Sequence, residues 1–513
     1  MRRPLGTTQP KLTMHQTPSI AGRALMAIGL MIGFYLLAAL IVTGLLFIPY
    51  AEYTYAHRVH LKLGVLCAFG ALMILWSIMP RVDRFDPPGP RLNRDEQPRL
   101  FEHLDDVARA TGQEMPDEVY AVGDINAWVA QRGGIMGFGS RRVMGIGLPL
   151  MQQLTVTQFR AVLAHEFGHY FGGDTRLGPW VYKTRAAIVR TVQSLSGDNG
   201  SPSLLQAPFA AYGRMFLQVT QSVSRQQEFS ADALAARTIG ARPLIEGLRV
   251  VHQCAPAFSA YFQHEVVPVI AAGFQPPVTE GFRRFTQTQR VATAMEEGLQ
   301  AELKEGRSDP YDSHPALRER IAALEQLPMG TVPDPDPSAL SLIENAAALE
   351  ASLLHQQFSQ AAPEGFKSVA WESVGETVYL PQWKMLVNAN RDVLGEVTLT
   401  QLPALSKDPA AVAQRLQTPQ GQALHPDSQE GFLGYVAGAA ITLLLREAGW
   451  TMVALPGNPV ELRRDDLILT PFSLMADLKS GKQTEADWAT LLAKAGLPEA
   501  RLFPPSTASA TPA

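Results

Sequence analysis

Residues 154–176 read LTVTQFRAVLAHEFGHYFGGDTR. Thr155 followed three positions later by Gln158 makes a capping box, and Phe159, Val162 and Leu163 recur at the spacing of a helix face turned to a core. The spacing predicts a helix from Thr155 to Phe171. On that helix His165 and His169 stand one turn apart on one face, so their imidazoles can converge on a single ion. Glu166 lies about 100° further round, which sets its carboxylate against water at the ion rather than against the ion itself. Two neutral imidazoles with a carboxylate general base beside them predict metal-assisted hydrolysis of a peptide bond, with one Zn²⁺ per chain. The alternative is a chance match on a core helix, which the histidine and acid content of this chain makes rare.

A tetrahedral catalytic zinc takes a third protein ligand and keeps its fourth position for water. An extended histidine pattern would place that ligand at position 175, but the residue is Thr175. Glu228, in SRQQEFSAD at 224–232, lies on a second predicted helix, and Asp232 follows one turn later on the same face, placed to accept a hydrogen bond from a ligand histidine. On spacing alone the same acids also read as a solvated face. Only Cys67 and Cys254 are present, which excludes both a disulfide framework and a cysteine zinc site. The stretches DEVYAVGDINAWVAQ (117–131) and RRVMGIGLPL (141–150) read as strands, so this region is α+β. Gly133, Gly134, Gly137 and Gly139 between them complete no phosphate-binding fingerprint and read as a turn.

These residues resemble the family of the HtpX heat-shock protease, the CAAX prenyl protease and the mitochondrial Oma protease, a gluzincin type of zinc metallopeptidase. The likeness spans residues 98–325 and is carried by LTVTQFRAVLAHEFGHYFGGDTR and SRQQEFSADALAA. It implies a mainly helical zincin-like domain with a small edge sheet, acting on protein or peptide substrates. It implies Glu228 as the third ligand and Asp232, Asp174 and Arg225 as groups supporting the ligands. It further implies that Asn126 and Ala127 open the strand pairing with substrate backbone. The segment SHPALRERIAAL resembles the family's His-Pro stretch and places His314 and Arg320 near the site, to steady the anionic intermediate; the alternative is that His314 caps a helix beginning at Pro315.

One departure stands out. Family members carry further membrane spans between the two motif helices, whereas here that interval holds Lys183, Arg185, Arg190 and Arg214. WVYKTRAAIVRTVQSL and LLQAPFAAYGRMFLQVTQSV therefore read as amphipathic helices about the turn DNGSPS, resting on the membrane surface or folding over the cleft.

Upstream, no charge occurs from Ala24 to Ala51, and Leu63 to Pro80 is uncharged as well. Together they read as a helical hairpin across a lipid bilayer; a cleaved signal peptide is the rival for the first run, whose apolar part is too long for one. Arg2, Arg3, Lys11 and Arg23 before the hairpin and Arg81, Arg84, Arg91 and Arg94 after it predict cytoplasmic termini and a cytoplasmic catalytic domain. The resemblance adds the bacterial inner membrane as the expected site.

The domain reading is a cytoplasmic tail at 1–23, the two-helix anchor at 24–80, a proline-rich stalk at 81–97, the metallopeptidase domain at 98–328, a Pro-Asp linker at 329–340, a C-terminal α+β accessory domain at 341–502 and a disordered tail at 503–513. In the accessory domain SVAWESVGETVYL alternates like a strand, VLGEVTLTQL is strand-like, and FLGYVAGAAITLLLREAGW reads as a buried helix. A chain of 513 residues with net charge -4 and no basic stripe excludes nucleic acid as a partner and leaves room for a homo-oligomer. The competing function is a zinc-binding scaffold without turnover that acts through its C-terminal domain.

Overall fold

The computed structural model describes residues 20–58, 60–134, 139–169, 178–196, 204–309, 312, 314–359, 365–418, 426–497 and 499–503. Most of these residues are helical, and the sheets are small. The chain divides into two compact units. The first gathers the described residues of Met1–Val122, Asn126–Val251 and Leu299–Glu344, and the second those of Gly123–Ile125, His252–Gly298 and Asn345–Ala513.

In the first unit α1 (Ile20–Ala56) and α2 (Leu61–Ile78) are long and apolar enough to cross a membrane. Ala27, Met31, Phe34, Ala38 and Val42 form the buried stripe of α1, at helical spacing, while Leu36, Leu40 and Phe47 remain exposed. Two further helices, α6 (Gly178–Ser194) and α7 (Gln206–Thr238), pack on that stripe. Ile188, Phe209 and Phe216 join Phe34, Ala38, Ala71 and Ile74 in one core. Across it the Ser77 and Thr191 hydroxyls are 2.8 Å apart, and Tyr212 Oη donates to the Leu30 carbonyl at 2.6 Å. The apolar faces of α6 and the first half of α7 are thus spent on α1 and α2. The turn between them, DNGSPS, lies outside the described residues.

The expected stalk is also packed. Arg91–Leu92 (β1) pairs antiparallel with Glu118–Val122 (β2), the ring of Phe85 meets that of Tyr120, and Asp83 accepts from Arg132 and the Gly133 amide. Ala127–Arg132 (β3) and Arg141–Gly147 (β4) complete a sheet of order β1-β2-β4-β3, in which β2 and β4 are parallel and β3 is an edge. The predicted strand across 117–131 is thus two strands broken at Gly123–Asn126. Likewise Leu148, the first of the LPL residues read as strand, opens α4 (Leu148–Gln153), whose second residue, Pro149, suits a helix start. The unit also holds α3 (Pro98–Thr111) and α5 (Val156–Gly168), among other helices.

The Pro-Asp stretch is no free linker either. Pro337 and Asp336 accept from the Val156 and Thr157 amides at 2.8 and 3.1 Å, and Ser338 bridges to Thr155. Its backbone satisfies amide groups that the first turn of α5 leaves without intrahelical partners. The first unit accordingly runs on to Glu344.

The second unit takes in 252–298, which had been expected within the metallopeptidase domain. Its aromatic residues explain the assignment: the Phe258 and Phe282 rings are 5.0 Å apart, Tyr261 and Phe285 5.4 Å, and Tyr261 and Trp371 6.0 Å. A second core surrounds Trp383, Val436, Ala440, Trp450 and Trp488, beside a three-stranded antiparallel sheet of Thr451–Val453, Glu461–Arg464 and Leu467–Leu469. The helix Pro426–Glu447 is buried along Val436, Ala437, Ala440 and Ile441. The strand expectations at 368–380 and 393–402 fail: 371–389 is one helical run, π-helical at Gly375–Tyr379, and Arg391–Leu394 and Leu399–Gln401 are short helical turns.

Candidate metal centre

α5 is fixed at its start and delivers the site at its end. The capping box is formed, with Gln158 N on Thr155 Oγ1 at 3.3 Å and Thr155 N on Gln158 Oε1 at 3.1 Å. Phe159, Leu163 and Phe167 are fully buried, which orients the last turn so that His165 and Glu166 leave it together, with His169 as the C-cap. The expected continuation to Phe171 does not occur, since the helix ends at Gly168. A Cβ on Gly168 would lie 2.8 Å from Ala231 Cα and 2.9 Å from its Cβ, so glycine is what lets α5 and α7 come this close.

That approach brings Glu228 and Asp232 of α7 to the histidines. His165 Nδ1 is 2.9 Å from Asp232 Oδ1, and its Nε2 is 3.4 Å from Glu228 Oε2. His169 Nε2 is 3.6 Å from Glu228 Oε1, and the ligand atoms of His165, Glu166 and His169 lie within 4.8 Å of one another. The two imidazole planes are inclined at 82°. From the helix Leu317–Leu324, Arg320 donates to both oxygens of Asp232 at 2.9 and 2.7 Å and places Nη1 3.3 Å from Glu228 Oε2. His314 sets Nδ1 3.0 Å from Glu228 Oε1. His165, Glu228, Asp232 and Arg320 are buried, while the His314 side chain is 61% exposed.

Burial shapes the charges. It raises Glu166 to about 7 and lowers His169 to about 4. At His165 burial works downward but is outweighed by hydrogen bonds to Asp232 and Glu228, which raise it to about 9. Glu228 and Asp232 are held below the usual carboxylate range against the effect of burial, chiefly by His165, with His314 and Arg320 adding to it.

The residues suit a divalent ion. A tetrahedral ion with bonds of about 2.1 Å keeps its ligand atoms about 3.4 Å apart, close to the separations of Glu228 from the two imidazoles. Glu228 Oε2 is buried and meets His165 Nε2 at 3.4 Å and Arg320 Nη1 at 3.3 Å without hydrogen-bonding geometry to either, so its lone pairs stay open to an ion.

Residues 94–327 match the profile of Peptidase family M48. Over this segment the chain is similar to peptidase family M48. The chain is 26% identical over 308 residues to "Protease HtpX homolog" of Chlorobium phaeobacteroides, covering 54% of this chain and 87% of that one. It is 25% identical over 284 residues to "Protease HtpX" of Idiomarina loihiensis, covering 51% and 85%, and 26% identical over 218 residues to that of Salmonella newport, covering 37% and 71%. No solved structure matches the chain.

Within the M48 segment the structure gathers His165, Glu166, His169, Glu228, Asp232, His314 and Arg320 in one cluster. Arg225 stands apart from the ligands: its Nη1 donates to the Asp309 and Asp312 carbonyls, bracing the segment before His314. Asn126 accepts from the Gly147 amide at 2.9 Å, and Ala127 opens the edge strand β3, which lies against α5. Asp174 lies outside the described residues. The helix after His314 begins at Leu317 with Ala316 as its cap, so His314 does not cap a helix starting at Pro315.

Two contributors had no place in the sequence reading, Gly168 and the strap at 336–338. The signal for the first was a glycine inside a strong helix pattern, which usually has a packing reason. Gly168→Ala is expected to destabilise the fold by about 1–3 kcal/mol, because the atoms it meets on Ala231 are backbone and Cβ, which cannot swing away. Its melting temperature should fall and metal retention with it; an unchanged melting temperature would show that the close approach of α5 and α7 does not depend on glycine at this position.

Proposed function

We propose that this chain is a membrane-anchored, zinc-dependent endopeptidase, with His165, His169 and Glu228 holding the ion and Glu166 acting as general base. The observation that carries the reading is the pair of separations, 3.4 and 3.6 Å, that set the two oxygens of the buried Glu228 carboxylate against the Nε2 atoms of His165 and His169. Zinc, when bound, supplies a Lewis acid and makes water acidic enough to give up a proton near neutral pH. Glu166 takes the proton of the attacking water and passes it to the leaving amine nitrogen. Asp232 accepts from His165 Nδ1, which fixes the tautomer with Nε2 free toward Glu228. Arg320 is committed to Asp232 and Glu228 and is 4% exposed, so it positions those carboxylates rather than meeting an anionic intermediate. His314, largely exposed beside Glu228, is the group free to face substrate. The unpaired edge of β3 offers backbone donors and acceptors to an extended peptide, beginning at Asn126 and Ala127.

The apolar α1 and α2 cross the bilayer in this reading, with Arg81 and Arg84 on the cytoplasmic side and the catalytic unit in the cytosol of the bacterial cell. External protease on intact cells should leave that unit whole; its digestion from outside would reverse the orientation. The activity itself is tested by mapping products from a mixed peptide library. Internal cleavages that vanish on chelation and return with zinc are expected, whereas a zinc-loaded chain that cuts nothing would reject the enzyme.

Zinc binding should also be coupled to protons. In the metal-free site His165, raised to about 9, is protonated at pH 7, and His169, lowered to about 4, is already neutral. Binding must expel the His165 proton, so affinity should rise about tenfold per pH unit between about 7 and 9 and level off above. Below about 7, where Glu166 is also protonated, the proton release should climb from one toward two. Calorimetry in buffers of different ionisation enthalpy measures this directly, and zero release at pH 7 would contradict the charge states described.

A further inference from the structure

Where the chain leaves α2, a cavity of about 180 Å³ opens between that end of the helix and α6, lined among others by Tyr35, Arg81, Asp83, Tyr182, Lys183 and Arg190. It is large enough for a headgroup rather than a single water. Three of these six side chains are cations and one is a carboxylate. That carboxylate is taken: Asp83 accepts from Arg132 Nε and Nη2 at 3.1 and 3.2 Å and from the Gly133 amide at 2.8 Å. Arg81, Lys183 and Arg190 form no ion pair within 4 Å among the described residues, while Lys183 lies near enough to Asp83 to help hold that carboxyl low. Lys183 Nζ is buried and has no hydrogen-bond partner, and Arg190 spends its Nε on the Ser77 carbonyl at 3.2 Å. Burial and the neighbouring Arg81 both push Arg190 down, the mark of positive charge in excess of its partners. A buried ammonium without an acceptor costs free energy that an anion in the cavity would offset.

Position favours a lipid source for that anion. Ile78, the last residue of α2, and Ala187 of α6 form an apolar side to the same cavity. Trp180 and Tyr182, 37% and 61% exposed at the start of α6, suit the level where hydrocarbon gives way to headgroups.

We propose that this cavity binds the phosphate of an anionic phospholipid headgroup, held by Lys183 and Arg190 with Arg81 at its mouth. The proposal rests on α1 and α2 being a membrane anchor and does not depend on the peptidase chemistry. Lipid binding here ties α6, and through the bundle α7 with Glu228, to the surface of an acidic leaflet.

The test uses the full chain in vesicles of phosphatidylcholine alone or with a quarter phosphatidylglycerol, reading melting temperature and the phosphatidylglycerol retained after detergent extraction. Phosphatidylglycerol should be retained and should raise the melting temperature. Lys183→Met with Arg190→Gln should weaken retention on the order of 20-fold, at about fivefold for each basic residue beside an anionic surface. Lys183→Met alone, which keeps the length of the side chain, should lose about fivefold if the double variant fails to fold. Arg185→Gln, an exposed position on the same helix, should change nothing. Equal retention by wild type and Lys183→Met in chains that enter both kinds of vesicle would overturn the pocket and leave the anchor standing. Entry into neither would overturn both. Millimolar inorganic phosphate reproducing the effect in phosphatidylcholine alone would assign the site to a soluble phosphate and overturn the lipid.

Discussion

Glu166→Gln is expected to lower peptide cleavage by about 10²–10⁴-fold while leaving zinc content unchanged. The magnitude is that of removing a positioned general base. Glutamine keeps the volume and one oxygen but takes no proton from water. Zinc content should hold because the ligand atoms assigned to the metal are on His165, His169 and Glu228, and Glu166 leaves α5 in the neighbouring direction. Product formation by mass spectrometry and metal content per chain, measured on one preparation, separate the two effects. Undiminished cleavage would remove Glu166 from the role of base, and loss of zinc would make it a ligand.

Glu228→Ala is expected to do the opposite and abolish metal retention first. Its carboxylate is the nearest acidic partner of both imidazole Nε2 atoms and also faces Arg320 and His314. Without it His165 loses one of the two carboxylate partners that raise it to about 9, and Arg320 keeps Asp232 as its hydrogen-bonded counter-charge. Breaking a buried ion-pair set costs about 3–5 kcal/mol, so the metal-free fold should soften as well. Asp232→Asn, which acts on His165 and Arg320 from the far side, should reduce zinc affinity by about 10–100-fold, less than removal of the ligand. Full zinc occupancy in Glu228→Ala would show that another residue completes the set.

The histidine pair and its helix were legible because local rules decide them. The capping box and the buried Phe159 and Leu163 are formed as spacing requires, and the i, i+4 relation carries His165 and His169 to one side. The meeting of Glu228 with them was legible through resemblance rather than spacing, since an acidic turn on α7 reads equally well as a solvated face. What made the meeting physical, the bare Cα of Gly168 against Ala231, is a property of two helices together, and a glycine inside the α5 pattern hints at it without naming the partner.

Errors elsewhere share that cause. Trp371, Val374 and Val378 are buried at three- and four-residue intervals, a helical period that the shorter alternation around them concealed. Leu394, Leu399 and Leu402 enter a core from short turns, where β-branched neighbours had suggested a strand. Charges at Lys183, Arg185, Arg190 and Arg214 argued against full spans, yet could not show that α6 and α7 would lay their apolar faces on the anchor. The Pro-rich segments at 81–97 and 329–340 looked unpacked because proline ends regular structure, but their carbonyls and side chains satisfy sheet and helix edges.

X-ray absorption at the zinc K-edge on the full purified chain addresses the ligand set most directly. One zinc per chain in a shell of nitrogen and oxygen atoms near 2.0–2.1 Å, with two imidazole signatures and no sulfur, is the predicted result. A chain that holds no zinc after reconstitution, or holds it through sulfur, would contradict the assignment of His165, His169 and Glu228.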